Sequence, residues 1–361
     1  MAKNGNSTLT KAKNAKKDEF YTQLPDIEAE MNAYLDYDKD VFRNKTVLLP
    51  CDDPEWSWFT KYFAQNFQLL GLKKLISTSY APDAKKAKYG VQTQLFEDEA
   101  NSPGFDPTKW HTHGKIYILE KDINGDGRID VADTQSTYLE GDGDFQSTEV
   151  THLRDEADII ITNPPFSMFR EFFKWVIESE KQFSIIGSLN AITYKEVFPY
   201  LRDNKIWLGN GFKSGNAYFA TPNAKSNIDY SKGVLQDNGL VKFRNCCWHT
   251  NIEHGRRHQP LELMTMADNL KYSKHKDLRN AEEYDHYDNY NAIEVPYTDA
   301  IPSDYNGVMG VPISFLDKYC PEQFEIVGLD RYVEDNPKYG HRFTIDNKET
   351  YARILIRNKH L

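Results

Sequence analysis

The sequence predicts an α/β fold with a mixed central sheet and a further region towards the C-terminus. Three observations carry this. Short apolar runs rich in β-branched residues alternate along the first 250 residues with segments of helical apolar spacing. Ile159, Ile160 and Ile161 are apolar on consecutive positions, the pattern of a strand buried on both faces. Asn163-Pro164-Pro165-Phe166 then stops that strand, because proline donates no ladder hydrogen bond and holds its predecessor extended. A rigid, polar-tipped loop at the carboxyl end of a buried strand is where open α/β sheets bind ligands.

A chain of 361 residues is long enough for a large core and two lobes. Charged residues make up 27%, and no apolar run approaches the roughly 20 residues of a membrane span. The Lys-rich N-terminus has no apolar segment behind it, so no secretory signal is expected. Cys51, Cys246, Cys247 and Cys320 show neither metal-site nor disulfide spacing, which points to a reducing cytoplasm. The net charge of −10 argues at first against a nucleic-acid partner, but its distribution does not. Residues 120–158 hold twelve acidic side chains against three basic ones, leaving the remainder near neutral. Residues 1–17 carry five lysines and no acid, and 254–279 carry six Lys or Arg with three histidines. Local basic patches are what phosphate contacts need.

In order, residues 1–17 predict a disordered basic arm. Phe20-Tyr21-Thr22 resembles an element that in some amino methyltransferases contacts the methionine end of the cofactor, with Gln23 where proline is usual. Residues 26–37 predict an amphipathic helix and 45–51 the first central strand. Cys51-Asp52-Asp53-Pro54 follows, in the strand–loop–helix position that normally carries glycines under a cofactor. Two aspartates disfavour a phosphate there but suit a ligand that is cationic at sulfur and ammonium. Residues 73–80 predict the second strand. It ends at Tyr80, with Asp83 the nearest acid, and its ribose partner stays open.

Residues 81–140 read as an insertion with a strand at 115–120. Within it, Asp122, Asn124, Asp126, Asp130 and Asp133 fall at positions 1, 3, 5, 9 and 12 of an EF-hand-like loop, with Arg128 offering its carbonyl at position 7. A structural Ca²⁺ site and a hairpin with Asn-Gly and Asp-Gly turns both fit this stretch. Asp144-Phe145 ends 18 residues before Asn163 and suits contact with a cofactor adenine; a glycine-rich turn is the alternative. Ser167 is the expected N-cap of the helix carrying Phe169, Phe172, Phe173 and Val176. Further strands are expected at 182–188, 205–209, 240–251, 324–329 and 353–356. Residues 304–313 have too many turn formers for a core element and read as a presented loop.

The Asn-Pro-Pro-Phe loop has a specific chemistry. An exocyclic amino group on a base is a poor nucleophile, because its lone pair is delocalised into the ring. The Asn163 side-chain oxygen and the Pro164 carbonyl can accept hydrogen bonds from it and favour a pyramidal nitrogen. Phe166 can stack on a flipped base. The tetrapeptide is the signature of S-adenosylmethionine-dependent amino methyltransferases.

With Lys17–Gln23, Cys51–Pro54, Gly141–Phe145, Thr162–Ser167, Ile192–Phe198, Asn204–Gly209 and Tyr305–Ile313 in this order, the chain resembles the EcoRI-type adenine-specific DNA methyltransferases over nearly its whole length. The resemblance implies a Rossmann-like class I S-adenosylmethionine-dependent methyltransferase with a mixed central sheet, plus a C-terminal target-recognition region. It implies a catalytic domain over 18–253 and DNA contact from 254–361, with 254–279 and 301–313 the candidate segments. It implies methyl transfer to adenine N6 in double-stranded DNA by base flipping, with Asn163, Pro164, Pro165 and Phe166 catalytic. Phe20, Tyr21, Thr22, Cys51, Asp52, Asp53, Pro54, Asp144 and Phe145 are the expected cofactor contacts. A monomer acting with or without a cognate restriction endonuclease, and no membrane, completes the expectation. Two rivals are an amino methyltransferase for RNA or protein and a catalytically silent DNA-binding protein. The long C-terminal region argues against the first, and the intact Asn-Pro-Pro-Phe against the second.

Overall fold

The computed structural model describes residues 20–52, 57–81, 105–110, 112–212, 215–221, 233–333 and 342–359. The N-terminal arm, Asp53, Pro54 and Asp83 lie outside them. The described chain forms two units, one from residues up to 188 with 209–253, the other from 189–208 with 254–359. Residues 189–208 thus group with the C-terminal segment.

The first unit holds β1 (Tyr21–Thr22), α1 (Leu24–Tyr37), β2 (Thr46–Leu49), α2 (Trp58–Gln65), β3 (Lys74–Thr78), β4 (Lys115–Leu119), β5 (Gln135–Tyr138) and α3 (Thr148–Glu156). It continues with β6 (Ile159–Thr162), α4 (Phe169–Ile177), β7 (Gln182–Ser188), β8 (Asn216–Ala220), β9 (Val234–Leu235), β10 (Val241–Arg244) and β11 (Cys246–Thr250). Its main sheet runs β5-β4-β3-β2-β6-β7-β11. The four inner strands are parallel, and β5, β4 and β11 are antiparallel to their neighbours. Every residue of β2 and β6 is buried, as their unbroken apolar runs require. From β2 the chain steps one way to β3 and later enters on the other side as β6. The sheet order therefore reverses between β2 and β6, and their carboxyl-end loops flank the crevice where such sheets bind ligands. Phe169, Phe172, Phe173, Trp175 and Val176 bury one side of α4.

A second, antiparallel sheet runs β1-β8-β10-β9. Here the expectation of one strand over 240–251 is corrected. Asn245 adopts a left-handed conformation (φ 63°) and divides it into β10 and β11, which belong to different sheets. Asparagine tolerates that conformation, and the apolar pattern runs through the break without marking it. The helix after the Asn-Pro-Pro-Phe loop also starts later than expected. Phe166–Met168 form a 3₁₀ turn, so Ser167 lies inside that turn and Met168 takes the N-cap position.

The Ca²⁺ expectation is not supported. No group of three His, Cys, Asp or Glu side chains is set to hold a metal among the described residues, which include all of 122–133. The loop's side-chain oxygens close it on itself instead. Asp122 accepts from the backbone N–H of Gly125 (2.6 Å) and Gly127 (2.8 Å). Asn124 accepts from Asp126 (2.9 Å), and Asp126 from Arg128 (2.8 Å). Asp130 and Asp133 form a capping box, and Asp133 also accepts from Ile123 and Asn124. Those backbone donors hold the Asp133 carboxyl below its ordinary range. We expect the thermal midpoint to be the same in excess Ca²⁺ and in chelator, and lowered by Asp133→Ala in both; a calcium-dependent rise would restore the metal site.

The second unit centres on a sheet in the order β12 (Ile293–Glu294), β13 (Met309–Pro312), β15 (Arg353–Asn358), β14 (Phe324–Leu329). Residues 309–311 are buried in β13, so this part of the expected presented loop is core. Its glycine misled the turn-former reading. A Cβ on Gly310 would overlap the Tyr287 hydroxyl, so only glycine fits. That hydroxyl donates to Glu294, whose carboxylate also takes the Arg353 Nε–H at 2.8 and 2.9 Å. The pair is buried, satisfied and closed around the sheet.

Candidate active site

Asn163 follows β6, and its amide is oriented by one bond. Its Nδ2 donates to the Phe20 carbonyl at 2.6 Å. A carbonyl can only accept, so the NH₂ must face it and the oxygen must face away. Asn163 Oδ1 is buried and has no hydrogen-bond partner among the described residues. Such an orphaned acceptor costs stability unless a ligand donor meets it. Pro164 is buried behind it, and the Pro165 carbonyl accepts the Met168 N–H at 2.9 Å to close the 3₁₀ turn. Phe166 stacks on Phe20 at 5.9 Å and 23° and meets Phe219 and Phe243 edge-on at 6.0 and 5.4 Å. The β1-β8-β10-β9 sheet thus grips the loop with aromatic rings.

Asp52 lies just beyond the end of the adjacent strand. Its carboxylate accepts from Thr162 Oγ1 at 2.6 Å and from Ser57 Oγ at 2.8 Å. Its backbone carbonyl accepts from Ser77 Oγ at 2.7 Å. It therefore braces β2, β3 and β6 together through Thr162, the residue before Asn163. Burial raises its pKa to about 7, against the lowering effect of the two hydroxyls. The Cys51 thiol is pushed far up by burial, with the charges of Asp52 and Asp144 adding to it. The segment that carries Asp144 is joined to the end of β3 by the bond from the Ala81 N–H to the Asp142 carbonyl, 2.7 Å. The loop is fixed by Gly143, whose φ of 83° and tight approach to the Ser79 carbonyl exclude any side chain. Tyr80 donates to Asp142 at 2.9 Å across the same corner.

Of the residues expected from sequence, Phe20, Tyr21, Thr22, Cys51, Asp52, Asp144 and Asn163–Phe166 lie on segments that meet at the carboxyl ends of the parallel strands. Thr22 is buried, and its Oγ1 has no hydrogen-bond partner among the described residues. The Phe145 ring packs against Phe172 (5.0 Å) and Trp175 (5.6 Å) of α4. Sequence reasoning missed Ser57, Thr162 and the Tyr80–Asp142 pair. The one available signal was the aspartate at the end of a buried strand, which needs hydroxyl partners.

The family profile described as adenine-specific methyltransferase EcoRI matches residues 8–359. The chain belongs to that family. Type II methyltransferase M.EcoRI of Escherichia coli is 40% identical over 364 residues, covering 100% of this chain and 99% of that protein. Type II methyltransferase M.MgeORF184P of Mycoplasma genitalium is 31% identical, with 98% and 99% covered. Type II methyltransferase M.MpnI of Mycoplasma pneumoniae is 29% identical, with 97% and 98% covered. No solved structure gives a significant match. Family membership makes the chain an adenine-specific DNA methyltransferase that uses S-adenosylmethionine. No helix of the described residues is long and apolar enough to cross a membrane.

Proposed function

We propose that this methyltransferase methylates N6 of an adenine flipped out of duplex DNA, with Asn163 and Pro164 holding the target amino group. The observation that carries it is the fixed orientation of the Asn163 amide. The Phe20 carbonyl turns the acceptor oxygen away from itself and leaves it for an incoming N–H. Asn163 Oδ1 and the Pro164 carbonyl each accept one amino hydrogen and draw the lone pair out of conjugation. Phe166, held by the aromatic cluster, stacks on the flipped ring. The strand order, with its reversal beside Asn163, supports a Rossmann-like class I catalytic domain.

The crevice residues fit a cationic cofactor. Asp52 and Asp144 supply negative charge near Cys51, and the orphaned Thr22 Oγ1 supplies a polar contact. S-adenosylmethionine, when bound, supplies a methyl group on an electrophilic sulfonium. No general base is needed, since the amino proton leaves to solvent after attack. Of the two DNA-contact segments, 254–279 keeps exposed Lys271, Lys274, Lys276 and Arg279, while 301–313 reduces to the surface stretch 303–308. A second copy and a partner nuclease are not required by this chemistry.

Labelled methyl should pass to unmethylated duplex DNA and, after digestion to nucleosides, reside in N6-methyladenine. Label in another nucleoside, or none in DNA, overturns the assignment. The pH dependence follows from Asp52. A carboxyl with a folded pKa near 7 against an ordinary 3.8 is protonated in the free protein where the unfolded chain is ionised, so through this group stability falls as pH rises from 3.8 to 7. A cation beside it favours ionisation. Cofactor binding should therefore release a proton below pH 7 and be roughly tenfold weaker at pH 6 than at pH 8. Calorimetry in two buffers checks this, and Asp52→Asn should flatten the profile.

A further inference from the structure

The β1-β8-β10-β9 sheet has two faces, and the site uses only one. Phe219 and Phe243 point inward onto Phe166 and Phe20. Strand alternation sends their neighbours the other way. Register places Lys242 opposite Tyr218 and Val234, and Arg244 opposite Asn216. The Lys242 ammonium lies 5.7 Å over the Tyr218 ring. Arg244 is exposed, and Val234 is 55% exposed. Neither Lys242 nor Arg244 makes an ion pair among the described residues. The four strands contain no Asp or Glu, in a chain of net charge −10.

We propose that this outer face, through Lys242, Arg244 and Tyr218, binds the phosphate backbone of the duplex beside the flipped adenine. The inference rests on the methyl-transfer assignment above, and it adds a surface distinct from 254–279 and 303–308. Two arguments select DNA as the occupant. The first is charge: two cations with an aromatic ring and no acid on the strands are complementary to a polyanion. The second is position. The inner face of the same sheet holds the loop that receives the base, and a sheet with its side chains is about 10 Å deep. A flipped nucleotide stays joined to its strand, so the neighbouring phosphates run past the elements that surround the loop, of which this sheet is one. Phosphate contacts at this point also give the sheet a role during flipping. They hold the strand at the place where its base leaves the stack, while the rings beneath hold Asn163 and Phe166.

The test is duplex binding by wild type, Lys242→Ala, Arg244→Ala and the double Lys242→Glu/Arg244→Glu variant, by anisotropy across a salt series. Each alanine should lower the slope of log K against log salt by about 0.9 and weaken binding several-fold at low salt, and the double reversal should weaken it further. Cofactor binding by calorimetry and the thermal midpoint should match wild type, which separates a lost surface from a lost fold. Slopes and affinities within about twofold of wild type for all three variants overturn the surface. Wild type that binds no duplex at all overturns the methyl-transfer assignment instead. Tyr218→Ala should weaken binding with the slope unchanged, since it carries no charge; a slope change there also counts against the assignment of roles.

Discussion

Asn163→Ala should lower kcat for methyl transfer by about 10²–10³, the usual cost of deleting one preorganised polar contact to a reacting group. The cause is specific to one atom. Oδ1 is buried, unpartnered and turned outward by the Nδ2 bond to Phe20. Alanine removes both the acceptor and the tether. Cofactor affinity should stay near that of wild type, because the brace around Asp52 runs through Thr162 and Ser57 rather than through Asn163. Asn163→Asp separates the two roles. It keeps an acceptor towards the base but sets an oxygen against the Phe20 carbonyl, so it should fall between wild type and alanine. Single-turnover rates at saturating DNA are the measurement. An alanine variant with wild-type kcat would remove Asn163 from the chemistry.

The second large effect is on stability. Trp248→Ala should cost about 3–5 kcal/mol, read as a fall in the urea midpoint. Trp248 is fully buried on β11, stacked on Phe212 at 5.8 Å and 17° and met edge-on by Phe59 at 5.8 Å. Nothing nearby is free to fill the cavity, since Phe59 and Phe212 belong to the same packed core. Trp248→Phe should cost much less. The indole Nε1 has no hydrogen-bond partner among the described residues, so phenylalanine gives up area but also sheds a buried donor with an unmet bond. Equal losses for the two variants would show that the phenyl ring recovers none of the packing the indole makes with Phe59 and Phe212.

Much of this site was legible in the residues. Unbroken apolar triplets marked β2 and β6, because a strand buried on both faces has no polar side to disguise it. The double proline marked the loop end, because its effect on the backbone is covalent. The parts that escaped depend on long-range contacts or on single dihedral angles. Asn245 breaks an otherwise strand-like segment by its own backbone conformation. Gly310 looks like a turn former, yet it sits in a buried strand to admit the Tyr287 hydroxyl. The Asp122–Asp133 loop matches a metal-binding spacing, but its oxygens meet backbone N–H groups. Spacing tells which oxygens are available and not what they face. Phe145 shows the same limit: its position beside Asp144 is local, while its burial under α4 depends on Phe172 and Trp175, far along the chain.

The tether between Phe20 and Asn163 spans 143 residues of sequence. The strand that follows the Phe20 carbonyl is two residues long and pairs with Ala220 and Phe219. During synthesis, then, the amide of Asn163 has no fixed orientation until the ribosome has passed residue 220 and the N-terminal segment has returned to dock. A partly made chain can hold a complete parallel sheet and still present the wrong end of the amide. The order of assembly itself delays activity until the N-terminal segment is secured.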